Sequence, residues 1–258
     1  MRELKPSATI MQTLHSGVFV MAIATPSRTK TAPLVLPSHA ERTNHWLWLA
    51  GGALVAFLVP FMFADVLGVQ RDLYYAIYSA SVFVLFWAWL RASRVDVPAF
   101  FARNWKWAVA LGLLCGGLLA AIVFEGAGTE HPHGVTFWAE ILWRGVVYGA
   151  ADGILLGSFP VLAVFAAIPF RHGHARRTIA TGALALAMTF GFTLVYHAGY
   201  PDFRSGKIGA PTRGVAVWSA PTLLTLNPLG APIAHVTMHV SAVTHSYRTD
   251  TFLPPHRH

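Results

Sequence analysis

Six apolar stretches of membrane length follow one another along this chain, and they leave it one class of fold. They run Trp46 to Ala64, Leu73 to Leu90, Trp107 to Phe124, Thr136 to Ile168, Thr178 to Tyr200 and Val215 to Val243. About 20 residues at 1.5 Å each cross a hydrocarbon core roughly 30 Å thick, and backbone polar groups inside lipid must be satisfied within the protein. The expectation is an all-α, polytopic membrane protein of about six transmembrane helices. Composition agrees, since 55% of the 258 residues are hydrophobic and only 12% charged, outside the usual range of soluble domains. Trp46, Trp48, Trp87, Trp89, Trp105 and Trp107 stand at the ends of runs, where an aromatic belt is expected.

The residues outside the runs set the domain limits. Residues 1–44 read as a mobile N-terminal tail, 45–246 as the helical membrane domain and 247–258 as a short C-terminal tail. Met1 to Thr25 has a basic start, but its apolar piece "SGVFVMAIA" is too short to span a bilayer, and a tail is preferred over a cleaved signal peptide. The net charge of +8 does not point to nucleic acid, because Lys and Arg flank the apolar runs as they do in loops facing anionic lipid. The lipid bilayer is the expected partner. Six alternating crossings from a cytoplasmic N-terminus place 14 Lys or Arg inside and 4 outside, with both termini in the cytoplasm. The last run is broken by "NPLGAP", Asn227 to Pro232, into two shorter helices or a re-entrant piece that can alter the crossing count. The single cysteine, Cys115, excludes internal disulfides and cysteine-cluster metal sites.

Polar residues inside the runs are the candidates for chemistry. In the fourth run Gly145, Gly149, Gly153 and Gly157 recur every fourth residue and form a strip that admits a neighbouring helix closely. Gly112 and Gly116 repeat that spacing in the third run and are the expected partner strip. Glu140 and Arg144 stand four apart, acid first, so they meet on one helix face, near enough to the interface to neutralise each other there. Asp152 lies about 24 Å along the helix from Thr136, where an ionised carboxylate costs roughly 2.5–3.5 kcal/mol on insertion scales and calls for protonation, a partner or water. His197 ends the fifth run, and His235 and His239 share a face in the last. That pair can hold a metal ion, divide base and donor roles around a substrate, or bond to backbone and hydroxyl groups. Asn227, before the break, is a candidate helix cap. Alternating topology puts Glu140, His197 and the break in one leaflet with the loop residues His131 and His133, and leaves His172 and His174 in the basic loop "RHGHARR" on the other side.

"AEILWRG", Ala139 to Gly145, followed much later by "HVTMH", His235 to His239, resembles the CPBP family of intramembrane proteins, which includes CAAX prenyl proteases and bacteriocin-processing relatives. That family reads Glu-Glu-x-x-x-Arg on one helix, Phe-x-x-x-His on the next and His-x-x-x-Asn or Asp near the end. Glu140, Arg144 and His235 match; Ala139 replaces the first Glu, and His239 replaces the final Asn or Asp. The middle motif is met by letter in "FRHGH", Phe170 to His174, or by position in His197. The resemblance implies a metal-independent glutamic peptidase without a cofactor, acting on a peptide or protein substrate in the membrane. Glu140, Arg144, His197, His235 and His239 would be its catalytic set, with Glu140 taking over the base. Two other readings stand beside it: a metal- or proton-handling protein, with His235 and His239 and a carboxylate on the ion, and a scaffold whose polar residues, Asp152 and Asn227 among them, only join helices.

Overall fold

A computed structural model describes residues 39–168, 175–204, 209–248 and 253–254. The chain before residue 39, and His172 and His174, lie outside the described residues. Helix is the only regular structure among the described residues. In chain order come α1 (His39–Val59, prolonged as a π-helix over Pro60–Val66), α2 (Arg71–Ala92), α3 (Val97–Ala102), α4 (Trp105–Glu125), α5 (Gly134–Ala167), α6 (Ala175–Ala198), the single turn α7 (Gly209–Thr212), α8 (Val215–Thr225) and α9 (Gly230–His245). Five of them, α1, α2, α4, α5 and α6, are long and apolar enough to cross a membrane. α1 already begins at His39, inside the stretch expected to be tail.

The sixth apolar run folds back on itself. Leu226 takes a left-handed φ of 51°, a conformation that ends a helix and costs a non-glycine residue roughly 1–2 kcal/mol. Asn227 stabilises the turn from both sides: its carbonyl accepts from the Leu229 N–H at 2.9 Å, and its amide donates to the carbonyls of Phe101, at 2.9 Å, and Arg103. α9 then returns antiparallel along α8. Gly230 sits against the Pro221–Thr222 backbone, with space for no side chain, and the Trp218 and His235 rings lie 4.9 Å apart one level further along. Asn227 thus closes an interhelical turn, its side chain bonding the N–H of Leu229 just before α9 and not one inside the helix.

This hairpin changes the parity of the chain. Near the start of α1, His45 accepts a hydrogen bond from Trp89 near the end of α2, whereas Tyr247, just beyond α9, lies over Arg144 near the start of α5. The beginning of α2 is also at Arg144, through Asp72. The first and last described helices therefore begin and finish at opposite ends of the bundle. The turn at Asn227 adds a traverse to the six alternating runs expected, so α9 finishes at the end of the bundle opposite the one where α1 begins. The break itself lies at the Arg103 end, away from Glu140, and so does not share a leaflet with it.

The glycine strip of α5 packs on α9. A Cβ on Gly153 would fall 2.4 Å from the Pro232 Cα, and one on Gly145 2.8 Å from the Val240 side chain; Gly149 and Gly157 are comparably tight against Val236 and Ala231. On an ideal α-helix, positions four apart drift by about 40° per repeat, which would carry the strip off its partner. α5 avoids this by widening into π turns over Ile141–Val147 and Ile154–Ser158, where each turn closes on a residue five back. The second π turn precedes Pro160, whose missing N–H already breaks the α ladder. Gly112 and Gly116 of α4 also face α9, meeting Ile233 and Thr237. The two glycine strips are consequently not each other's partners; both close on α9, which lies between them.

Candidate functional site

Two polar clusters form where α2, α5 and α9 meet, and Arg144 organises the first. Its guanidinium makes a two-pronged contact with Asp72 of α2, at 3.0 and 3.1 Å, and pairs with Glu140 one turn earlier on its own helix. The Tyr247 ring covers it at 5.0 Å. Burial pushes the Tyr247 phenol above its ordinary range against the opposing pull of Arg144. Arg144 is only 8% exposed while Asp72 is about one-third exposed, which places this cluster at the rim of the bundle. An arginine flanked by two carboxylates satisfies most of its donors and offsets one of the two negative charges at the edge of the bundle. Next to the rim, Thr129, Glu130, His131, His133, Tyr247 and Arg248 border an open hollow.

The second cluster lies deeper. Asp152 is 5% exposed, accepts from the Tyr78 hydroxyl at 2.7 Å, and lies 3.3 Å from the Nε2 of His239, itself 1% exposed. Three helices thus meet at one carboxylate. The close approach that the glycines allow makes the contact possible: Gly149 lies against His239 itself, 3.2 Å from its Cβ for an added methyl. The other His239 nitrogen, Nδ1, is buried without a hydrogen-bond partner, a costly condition of roughly 1–3 kcal/mol that native proteins keep for a reason.

Around Asp152 the chain concentrates its tyrosines. Tyr74, Tyr75, Tyr78, Tyr148, Tyr196 and Tyr200, six of the seven in the sequence, are fully buried in one group contributed by α2, α5 and the end of α6. Tyr75 stacks on Tyr148 with centroids 3.9 Å apart, and Tyr148 stands edge-on to His239 at 5.1 Å. The hydroxyls of Tyr148 and Tyr196 lie 2.5 Å apart, those of Tyr196 and Tyr200 2.7 Å, and those of Tyr200 and Tyr74 2.5 Å.

The residues expected from the sequence divide among these places. Glu140 and Arg144 belong to the rim, Asp152 and His239 to the interior, and about three helical turns of α5 separate Glu140 from Asp152. His235 joins neither through a polar contact: its Nδ1 donates to the Ala231 carbonyl at 3.2 Å, and its ring lies between Trp218 and His239. His197 likewise donates to its own helix, at Thr193, and packs on Tyr196 and Phe203. The five side chains expected to ring one cavity are therefore not brought together. Nor do three His, Cys, Asp or Glu side chains converge as a metal would require among the described residues. Asp72 and the tyrosines were absent from the expectation, although Tyr74 with Tyr78 and Tyr196 with Tyr200 carry the four-residue spacing of a shared helix face.

The chain matches no protein-family model, no curated protein and no solved structure.

Proposed function

We propose that this multi-pass membrane protein handles protons, binding and releasing them at the Asp152–His239 pair. One observation carries the proposal: a carboxylate in the interior of an apolar helix bundle is held between an imidazole and a phenol from two other helices. Intramembrane ionisable residues are expensive, and carboxylate–histidine arrangements within transmembrane segments mark proton pathways. Asp152 and His239 can share one proton in either of two places, which makes the pair a switchable acceptor. The end of the bundle bearing His45, Arg94, Arg103 and Lys106 is the cytoplasmic one in this reading, since the greater share of Lys and Arg lies there.

The glutamic peptidase implied by the CPBP resemblance ranks below this. It needs Glu140 beside a histidine, and the ion-pair partner of Glu140 is Arg144. A metal-binding reading ranks lower still, because among the described residues no three His, Cys, Asp or Glu side chains converge on one point. Proton handling is tested in liposomes that carry the purified protein and a lumenal pH dye, with a potassium diffusion potential as driving force. Wild-type protein is expected to move protons and Asp152→Asn to fall to the level of protein-free liposomes. Equal rates in the two would remove Asp152 from the function.

A further inference from the structure

Six buried tyrosines are a costly way to fill a membrane interior. Phenylalanine would occupy nearly the same volume without a hydroxyl to desolvate, and each buried hydroxyl must find a partner. Four of the six find one another. Tyr148, Tyr196, Tyr200 and Tyr74 form an unbroken series of Oη–Oη contacts between 2.5 and 2.7 Å, contributed by three helices and no more than 1% exposed.

We infer that this hydroxyl series is the route by which protons travel between Asp152 and the end of the bundle that holds Arg144. The inference rests on the proton-handling reading above. Its inner end is Tyr148, edge-on to His239 and 5.5 Å, ring to ring, from Tyr78, whose hydroxyl donates to Asp152. Tyr78 also packs on Tyr74 and Tyr196, at 5.9 and 5.4 Å, so the phenol that binds Asp152 touches three members of the series. The series ends on Tyr74; Tyr200 before it, two residues beyond α6, is the member nearest the Arg144 end and stands four residues before Arg204, whose half-exposed side chain pairs with Asp65 at the solvent edge. A phenol hydroxyl donates one hydrogen bond while accepting others. A proton can therefore enter at one end as another leaves at the far end, each O–H shifting by one place, with no phenol left charged. The titratable groups facing Asp152 are Tyr74, Tyr75 and Tyr78 from α2, Tyr148 from α5, Tyr196 and His197 from α6, Tyr200 just after it, and His239 and His235 from α9.

Tyr196 occupies the middle of the series, and Tyr196→Phe removes one hydroxyl while keeping the ring. The measurement is the rate at which the Asp152 carboxyl band appears in time-resolved infrared spectra after a rapid drop in pH, assigned by its loss in Asp152→Asn. Tyr196→Phe is expected to slow that rate about a hundredfold, the lower end of what a positioned proton-transfer group contributes, with the titration midpoint unchanged. Tyr200→Phe should do the same. Tyr75→Phe, which removes a buried hydroxyl outside the series, is expected to exchange at the wild-type rate, with thermal melting reporting folding in all three. Wild-type rates in Tyr196→Phe and Tyr200→Phe while Asp152 still titrates would overturn the route alone, and so would equal slowing in Tyr75→Phe. A wild-type Asp152 that never titrates would overturn the proton-handling reading and the route with it.

Discussion

Arg144 shows how much a single side chain can decide in an apolar setting. It balances Asp72 and Glu140 and lies under Tyr247, tying α2, α5 and the segment after α9 together. Removing the cation strands two carboxylates near lipid, and breaking a largely buried pair costs on the order of 3 kcal/mol. Arg144→Met is expected to lower the melting temperature in detergent clearly, and Arg144→Lys, which keeps the charge but loses the fork, less so. Equal melting of Arg144→Met and wild type would show that the rim cluster is only an exposed ion pair. At this scale the sequence was partly legible. Glu140, Arg144, Asp152 and His239 stood out because charge is rare in an apolar run. Asp72 did not, because a carboxylate at the first turn of a helix has an ordinary explanation in the helix dipole. The tyrosines were passed over for a similar reason, since aromatic residues at run ends resemble a membrane belt until the fold shows them buried.

Among the elements, α5 and α9 define the interior by how closely they approach. Gly153→Ala places a methyl 2.4 Å from the Pro232 backbone, and overpacking of this kind costs about 1–3 kcal/mol. The variant should melt at lower temperature and weaken the Asp152–His239 contact beside it. Gly182→Ala in α6 meets nothing within 4 Å and is expected to be neutral or stabilised by up to about 1 kcal/mol through helix propensity. Comparable destabilisation by both would mean that the strip does not set helix spacing. The four-residue glycine repeat was legible as a packing strip, yet its partner was not. Which helix fills a glycine groove depends on the return of the chain at Asn227 and on the π turns that hold the strip in phase, and neither leaves a mark in periodicity. The break at "NPLGAP" was visible from Pro and Gly alone, whereas the antiparallel packing of α8 on α9 is a tertiary contact.

For the whole molecule, the helical membrane architecture followed from the apolar runs, because lipid allows few alternatives. The hairpin makes a testable statement about sidedness. In a Cys115→Ser background, Arg248→Cys, just beyond α9, and Arg94→Cys should be labelled by an impermeant thiol reagent from opposite faces of oriented vesicles; labelling from one face would contradict the parity that the turn at Asn227 creates. Function is less legible than fold, since it depends on one carboxylate whose partners come from helices far apart in sequence. The most direct test is an infrared pH titration of the protein in lipid. A carboxyl band should rise on acidification, vanish in Asp152→Asn, and shift its midpoint in His239→Gln, because the imidazole and the carboxylate share the proton. A wild-type spectrum with no titrating band assignable to Asp152, or a midpoint indifferent to His239, would contradict proton handling at this pair.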